Sequence, residues 1–181
     1  RRETRNTLPY LPQNWKLFNP KLLVGITSQR SSQTHPPADV ASLYIHIPFT
    51  THLSPYEDVY AEVTPGPFTT YVQAVIAEMA HYTHKYEHPS IETLYVGGGQ
   101  PSLLHTDEVH RLLEQIYSQF DVGPLRESTI ELSPEHVAPD YLSALRSMGF
   151  NRVSLRMHSL FQDDLEQLGI TFSEEQARAG L

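Results

Sequence analysis

Thr93-Leu94-Tyr95-Val96-Gly97-Gly98-Gly99-Gln100-Pro101-Ser102-Leu103 decides the fold class. Thr93 to Val96 is a short β-rich run, stopped by three glycines and a proline-fixed turn. Working outward, Leu43 to Ile47 (LYIHI) is an earlier strand. Between the two lies Phe68 to Tyr86, where Tyr71, Val72, Val75, Ile76, Met79 and Tyr82 recur at helical spacing. On the other side, Asp107 is the expected N-cap of a helix running through Val109, Leu112, Leu113, Ile116 and Phe120. Ser128 to Leu132 (STIEL) is a third strand and Pro139 to Met148 a third helix, ended at Gly149. Arg152 to Met157 (RVSLRM) is a fourth strand. Phe161 to Leu168 is a short helix ended by Gly169, and Ser173 opens another with Glu174 and Glu175 in its first turn.

Strand and helix in alternation mean parallel strands joined by crossover helices, so the class is α/β. About four β/α units make a partial TIM-like barrel, half of the closed form. A half barrel exposes a strand edge and an inner face. Either the chain is part of a longer one, or the edge is covered by the N-terminal arm or by a partner. Residues 1–41 form that arm, broken by Pro9, Pro12, Pro20, Pro36 and Pro37, with a polar run from Ser28 to Gln33. One short element is expected around Trp15 to Ile26. Trp15, Leu17, Phe18, Leu22 and Leu23 either dock on a neighbouring surface or belong to a disordered tail. Residues 42–181 form the barrel portion, with no repeat beyond the α/β rhythm.

The composition suits a globular domain: 181 residues, 39% hydrophobic and 19% charged. No apolar run is long enough to span a bilayer. Arg1, Arg2 and Arg5 open the chain without an apolar stretch behind them, so no secretory signal is read there. A net charge of −8 disfavours nucleic acid and anionic membrane as partners. The expected setting is soluble, in cytoplasm or an organellar matrix or stroma. The chain has no cysteine, which removes disulfides, thiolate nucleophiles and thiolate metal sites together.

Four segments, in order, resemble the radical S-adenosylmethionine (SAM) family, in its oxygen-independent coproporphyrinogen III oxidase and heme-chaperone branch. Leu43-Tyr44-Ile45-His46-Ile47-Pro48-Phe49 is similar to that branch's first strand. Tyr95 to Leu103 resembles its glycine turn, GGGTPS. Thr129-Ile130-Glu131-Leu132-Ser133-Pro134 resembles its Glu-x-Asn/Asp-Pro segment. Arg152 to Phe161 resembles RISIGVQSF. The similarity covers about Ser42 to Ala177.

The resemblance implies a four-iron four-sulfur cluster on a Cys-x3-Cys-x2-Cys loop, with SAM on the fourth iron. Here the three cysteine positions are Thr50, Ser54 and Glu57. Iron–sulfur clusters are held by soft thiolates, and hydroxyls and a carboxylate are poor substitutes. No cluster and no SAM are therefore expected. The SAM-contacting positions are altered in parallel. The family's Thr after the glycines is Gln100, its fourth-strand Gly and Gln are Arg156 and His158, and a downstream Arg and His are Ile170 and Phe172. Tyr44, Gly97, Gly98, Gly99, Pro101 and Glu131 persist, so the remnants of the pocket are mostly residues that shape the backbone. Designed removal of cysteine ordinarily leaves Ser or Ala, and Glu57, Ile170 and Phe172 do not fit that habit. The losses read as natural.

The expectation is a non-catalytic, coproporphyrinogen oxidase-like domain, a structural or interaction subunit of a larger assembly with a protein partner. One alternative is an active coproporphyrinogen III oxidase-like radical SAM enzyme. Another is a heme- or tetrapyrrole-binding protein. His81, His84 and His88, at i, i+3 and i+7, read as a solvated helix face ahead of a metal or heme-edge site. His46 reads as structural. Glu131 lacks an evident partner for acid–base work.

Overall fold

A computed structural model of the chain describes residues 24–28, 40–53, 59–66, 68–85 and 90–181. Five strands form one sheet, β1 (Val24–Ser28), β2 (Val40–Ile47), β5 (Ser90–Gly98), β6 (Asp121–Leu132) and β7 (Arg152–Leu155), in that spatial order. β2, β5, β6 and β7 are parallel, and β1 is antiparallel to β2. Two short strands, β3 (Phe49–Thr50) and β4 (Glu62–Val63), pair beside the end of β2. The helices are α1 (Thr69–Lys85), α2 (Thr106–Gln119), α3 (Pro139–Ser147), α4 (Gln162–Gln167) and α5 (Glu174–Ala179).

Alternation along the strands separates two faces. Leu43, Ile45 and Ile47 of β2, Leu94 and Val96 of β5, and Ile130 and Leu132 of β6 are buried in one cluster. Val72, Val75 and Met79 of α1 and Val109, Leu112, Leu113 and Ile116 of α2 complete it. The opposite face is polar. Ser42, Tyr44 and His46 lie beside Thr93, Tyr95 and Gly97 in register, and Tyr95 beside Thr129. Thr93 Oγ1 donates to Ser42 Oγ at 2.8 Å, and Arg152 Nη1 meets Glu127 Oε1 at 3.2 Å.

Several boundaries differ from the sequence expectation, β5 beginning at Ser90 and β7 ending at Leu155 among them, and the larger differences have physical reasons. The antiparallel pairing of β1 with β2, Val24 opposite Ile45 through Ser28 opposite Ala41, puts part of the proline-rich stretch into the sheet. β2 itself begins at Val40, so strand structure runs across the 41/42 boundary drawn from composition. Trp15, Leu17, Phe18, Leu22 and Leu23 lie outside the described residues. β6 starts at Asp121 rather than Ser128. Its register with β5 jumps from Ile91↔Val122 to Thr93↔Glu127, so Gly123 and Pro124 bulge out of the ladder instead of ending it. The N-cap of α2 is His105, not Asp107. Glu108 accepts from the His105 backbone N–H at 3.1 Å, and His105 Nδ1 accepts from Asp107 N at 3.4 Å, placing Asp107 in the first turn. At α5 the expected cap is present: Ser173 and Gln176 form a capping box.

β1 occupies the outer edge of β2. The outer edge of β7 carries no strand among the described residues, and Val153 there is 40% exposed. No helix among the described residues is long and apolar enough to cross a membrane.

Candidate functional site

In parallel β/α sheets, ligands collect at the C-terminal ends of the strands. Here those ends are Pro48 after β2, the glycine turn closing β5, Ser133 after β6 and Arg156 after β7. The glycine turn lies directly against the β2–β3 junction. Gly99 N donates to Ile47 O at 2.7 Å and Gln100 N to Phe49 O at 2.6 Å. Gly98 has φ +120°, a left-handed conformation that favours glycine, and a β-carbon on it would sit 2.7 Å from Ile47 O. Pro101 opens a buried 3₁₀ turn, where its missing N–H is not needed.

Gln100 ties three loops together. Its Oε1 accepts from Thr51 N at 2.8 Å and Thr51 Oγ1 at 3.1 Å. Its Nε2 donates to Ser133 Oγ at 3.1 Å and Glu135 Oε1 at 3.3 Å. The Thr50 hydroxyl donates to His52 O at 2.7 Å. Arg156 Nη1 donates to Gly98 O at 2.6 Å and also to Gly99 O. Thr50, His52, Gln100, Ser133, Arg156, His158, Ile170 and Phe172 surround a cavity of about 30 Å³. That is room for about one water, against roughly 300–1,000 Å³ for a small-molecule site. A larger groove of about 710 Å³ runs between α2 and the end of α3, lined by Leu113, Tyr117 and Met148 among others. None of the motif residues lines it.

The motif residues thus fall into two groups. Thr50, Gln100 and His158 meet at the small cavity, together with Arg156, Ile170 and Phe172. Tyr44, Gly97 and Glu131 sit instead on the polar face of the sheet. Gly98 and Gly99 join the groups through Arg156. Ser54 and Glu57, with Pro55, Tyr56 and Asp58, lie outside the described residues, as does His88. His81 and His84 are exposed on α1.

Glu131 has partners that the sequence did not reveal. Tyr95 donates its hydroxyl to Oε1 at 2.6 Å, and Gly98 N donates to Oε2 at 3.1 Å. Both carboxylate oxygens therefore anchor the strand end. Tyr44 stacks on Tyr95 with centroids 6.0 Å apart. Burial, and then the Glu131 charge, push the Tyr44 phenol up to about 12. His46 Nε2 lies 2.8 Å from Tyr60 O, a carbonyl that only accepts. Nε2 therefore carries the proton, and Nδ1 accepts from the Tyr44 hydroxyl at 2.9 Å. His46 is buried, and Tyr71 donates to its backbone O at 2.6 Å. The Tyr44–His46–Tyr60 chain pins the backbone at Tyr60 to the sheet.

That chain gives a pH prediction. Burial lowers the pKa of His46 below the ordinary value, outweighing the Tyr60 bond and the Glu131 charge. A depressed pKa means that the unfolded chain takes the proton first. His46 therefore contributes stability above the unfolded value of 6.5, and that stability is lost as pH falls through the depressed folded value. Urea midpoints measured from pH 7.5 down to 5 should decline more steeply for wild type than for His46→Gln. Parallel curves would show that His46 does not titrate with folding.

Tyr95 and Ser133 belong to the segments that carry the resemblance, and Thr51 and His52 directly follow Thr50. What the sequence did not carry was the contact pattern that uses them.

An iron–sulfur cluster does not fit this set. The chain has no cysteine, the Thr50 hydroxyl is turned to a backbone carbonyl, and a guanidinium lies on the glycine turn. No group of three or more His, Asp or Glu able to hold a metal ion occurs among the described residues.

No family model matches the chain. It is 34% identical over 137 residues to the heme chaperone HemW of Lactococcus lactis, a match covering 75% of this chain and 35% of that protein. It is 29% identical to HemW of Escherichia coli over 139 residues, 76% of the chain and 37% of the relative. It is 30% identical over 129 residues to the oxygen-independent coproporphyrinogen III oxidase of Escherichia coli, 70% of the chain and 28% of that protein. The solved structure of coproporphyrinogen III oxidase (HemN) from Escherichia coli, a radical SAM enzyme, superposes with a TM-score of 0.68. It is 26% identical, over 76% of this chain and 32% of that one. The chain spans about a third of the length of the curated relatives it matches.

Proposed function

We propose that this chain, a member of the radical SAM family of the HemW and HemN kind, is a non-catalytic domain that has lost its cluster ligands and serves as a structural or interaction subunit. The observation that carries the reading is the chemistry at Thr50, where a hydroxyl bonded to His52 O stands in place of a thiolate in a chain without cysteine. Parallel changes around the small cavity support it. Gln100, Arg156, Ile170 and Phe172 fill space and make contacts within the chain there. The outer edge of β7, with no strand beside it among the described residues, and the exposed Val153 and Phe161 support a role in assembly.

Anaerobic reconstitution with iron and sulfide, followed by metal analysis and a SAM-cleavage assay, tests the loss of catalysis. The expected result is far less than one cluster per chain and no SAM cleavage. A stoichiometric cluster overturns the reading. The subunit role is tested by size-exclusion chromatography of the chain alone, where a stable, monodisperse monomer argues against an obligate partner.

A second reading, tetrapyrrole binding, draws on the relatives named heme chaperones and on the half-exposed Tyr44–Tyr95 pair facing away from the core. Heme titration separates the two. A saturable Soret shift at stoichiometric heme puts this reading first, and a linear response removes it.

A further inference from the structure

The groove of about 710 Å³ between α2 and the end of α3 lies away from the strand ends and their loops. Its α2 wall is one helical face: His110, Leu113, Glu114, Tyr117 and Ser118 stand at i, i+3, i+4, i+7 and i+8. That stripe is about 12 Å long at the helical rise per residue. Leu113 is buried and gives an apolar floor, while Tyr117 is 48% exposed. Ser147 and Met148 enter from the other side, at the C-terminal end of α3. Gly149 turns the chain there with φ +104°, and a β-carbon on it would lie 3.6 Å from the Tyr117 hydroxyl.

The polar atoms of this groove are mostly acceptors. Ser118 donates its hydroxyl proton to Gln115 O at 3.1 Å, and Ser147 donates to Ala144 O at 2.7 Å. Each hydroxyl oxygen is left with lone pairs to offer. Glu114 adds a carboxylate, and α3 points the negative end of its dipole the same way. Among the described residues no Lys or Arg lines the groove. His110 Nδ1, 3.7 Å from Glu114 Oε1, is charged only when protonated. A ligand that answers these walls brings hydrogen-bond donors and positive charge on an apolar body. The volume falls in the range of small-molecule sites, roughly 300–1,000 Å³.

We propose that this groove binds a small organic cation, a primary amine carried on a flat apolar ring. The ring lies between Tyr117 and Met148 over Leu113, where an aromatic face and a thioether both favour it. The ammonium donates to Glu114, with Ser118 Oγ one helical turn away as the second acceptor. The assignment stands whether or not the chain has lost catalysis, because no residue of the strand ends takes part.

The test is a nitrogen-15 NMR titration of the full chain with three probes of similar shape. They are 2-phenylethylammonium, neutral 2-phenylethanol and anionic 3-phenylpropionate. The amine should give saturable shifts at the Tyr117, Ser118 and Met148 amides with a Kd of about 1 mM. The alcohol should bind about fivefold more weakly, and the anion should not bind. Glu114 is exposed, so Glu114→Gln keeps the fold, and in that variant amine and alcohol should bind alike. Tyr117→Ala should weaken both. The proposal is overturned if the alcohol matches the amine on wild type, if the amine keeps its advantage in Glu114→Gln, or if the shifts fall outside the groove. Shifts at the same amides on concentrating the chain without probe would seat a second copy there, and overturn it as well.

Discussion

Gly99→Ala is expected to destabilise the fold by about 3 kcal/mol or more, enough to unfold much of the chain at 37 °C. A β-carbon at this position runs into the carbonyl oxygen of Phe49 and comes within 3.0 Å of the carbonyl carbon of Pro48. Both obstacles are backbone, and both belong to the junction that the turn is bonded to. Relief therefore requires breaking the Gly99–Ile47 and Gln100–Phe49 bonds, at 2.7 and 2.6 Å. Those breaks would in turn release Gln100 from Thr51. Gly123→Ala is the control, because a β-carbon there meets nothing within 4 Å. It should shift stability by no more than about 0.5 kcal/mol. Urea titrations of the two variants decide the matter. Equal midpoints would show that the turn is not packed against β2 and β3 as described.

The second large effect belongs to the covered face of the sheet. Ile45 is fully buried at the centre of β2, with Val24 of β1 and Val96 of β5 as its register neighbours. Ile45→Ala should cost about 2–5 kcal/mol, because strands on both sides hold the gap open and limit collapse. Tyr44→Phe, one residue along on the polar face, should cost far less, since it forfeits only the bond to His46. Measured by the same urea titration, comparable losses for the two variants would contradict the assignment of faces.

The parallel strands, the helices between them and the class of fold were legible in the sequence because apolar spacing and glycine stops are local signals. β1 was not. Val24–Ser28 adjoins a polar run and becomes a strand through pairing with β2, a tertiary effect. The first half of β6 was hidden by Gly123 and Pro124, which normally end strands. The cap at His105 was hidden because histidine is an uncommon N-cap and only Glu108 belonged to the usual box. At the site, resemblance located Thr50, Gln100, Arg156 and His158, and the structure gathers all four around one cavity. The tyrosine on Glu131 and the reach of Arg156 to the glycine turn join residues 36 and 58 positions apart. No sequence spacing encodes such contacts.

The order of strands in the main sheet repeats their order in the chain, β1-β2-β5-β6-β7. Each strand of that sheet is laid beside the one made before it, so no place has to be kept vacant for a later segment. Such a sheet can grow from one side while the ribosome is still elongating the polypeptide. Among the described strands, addition runs from β1 toward β7, so each new strand finds its partner edge already formed by the strand before it.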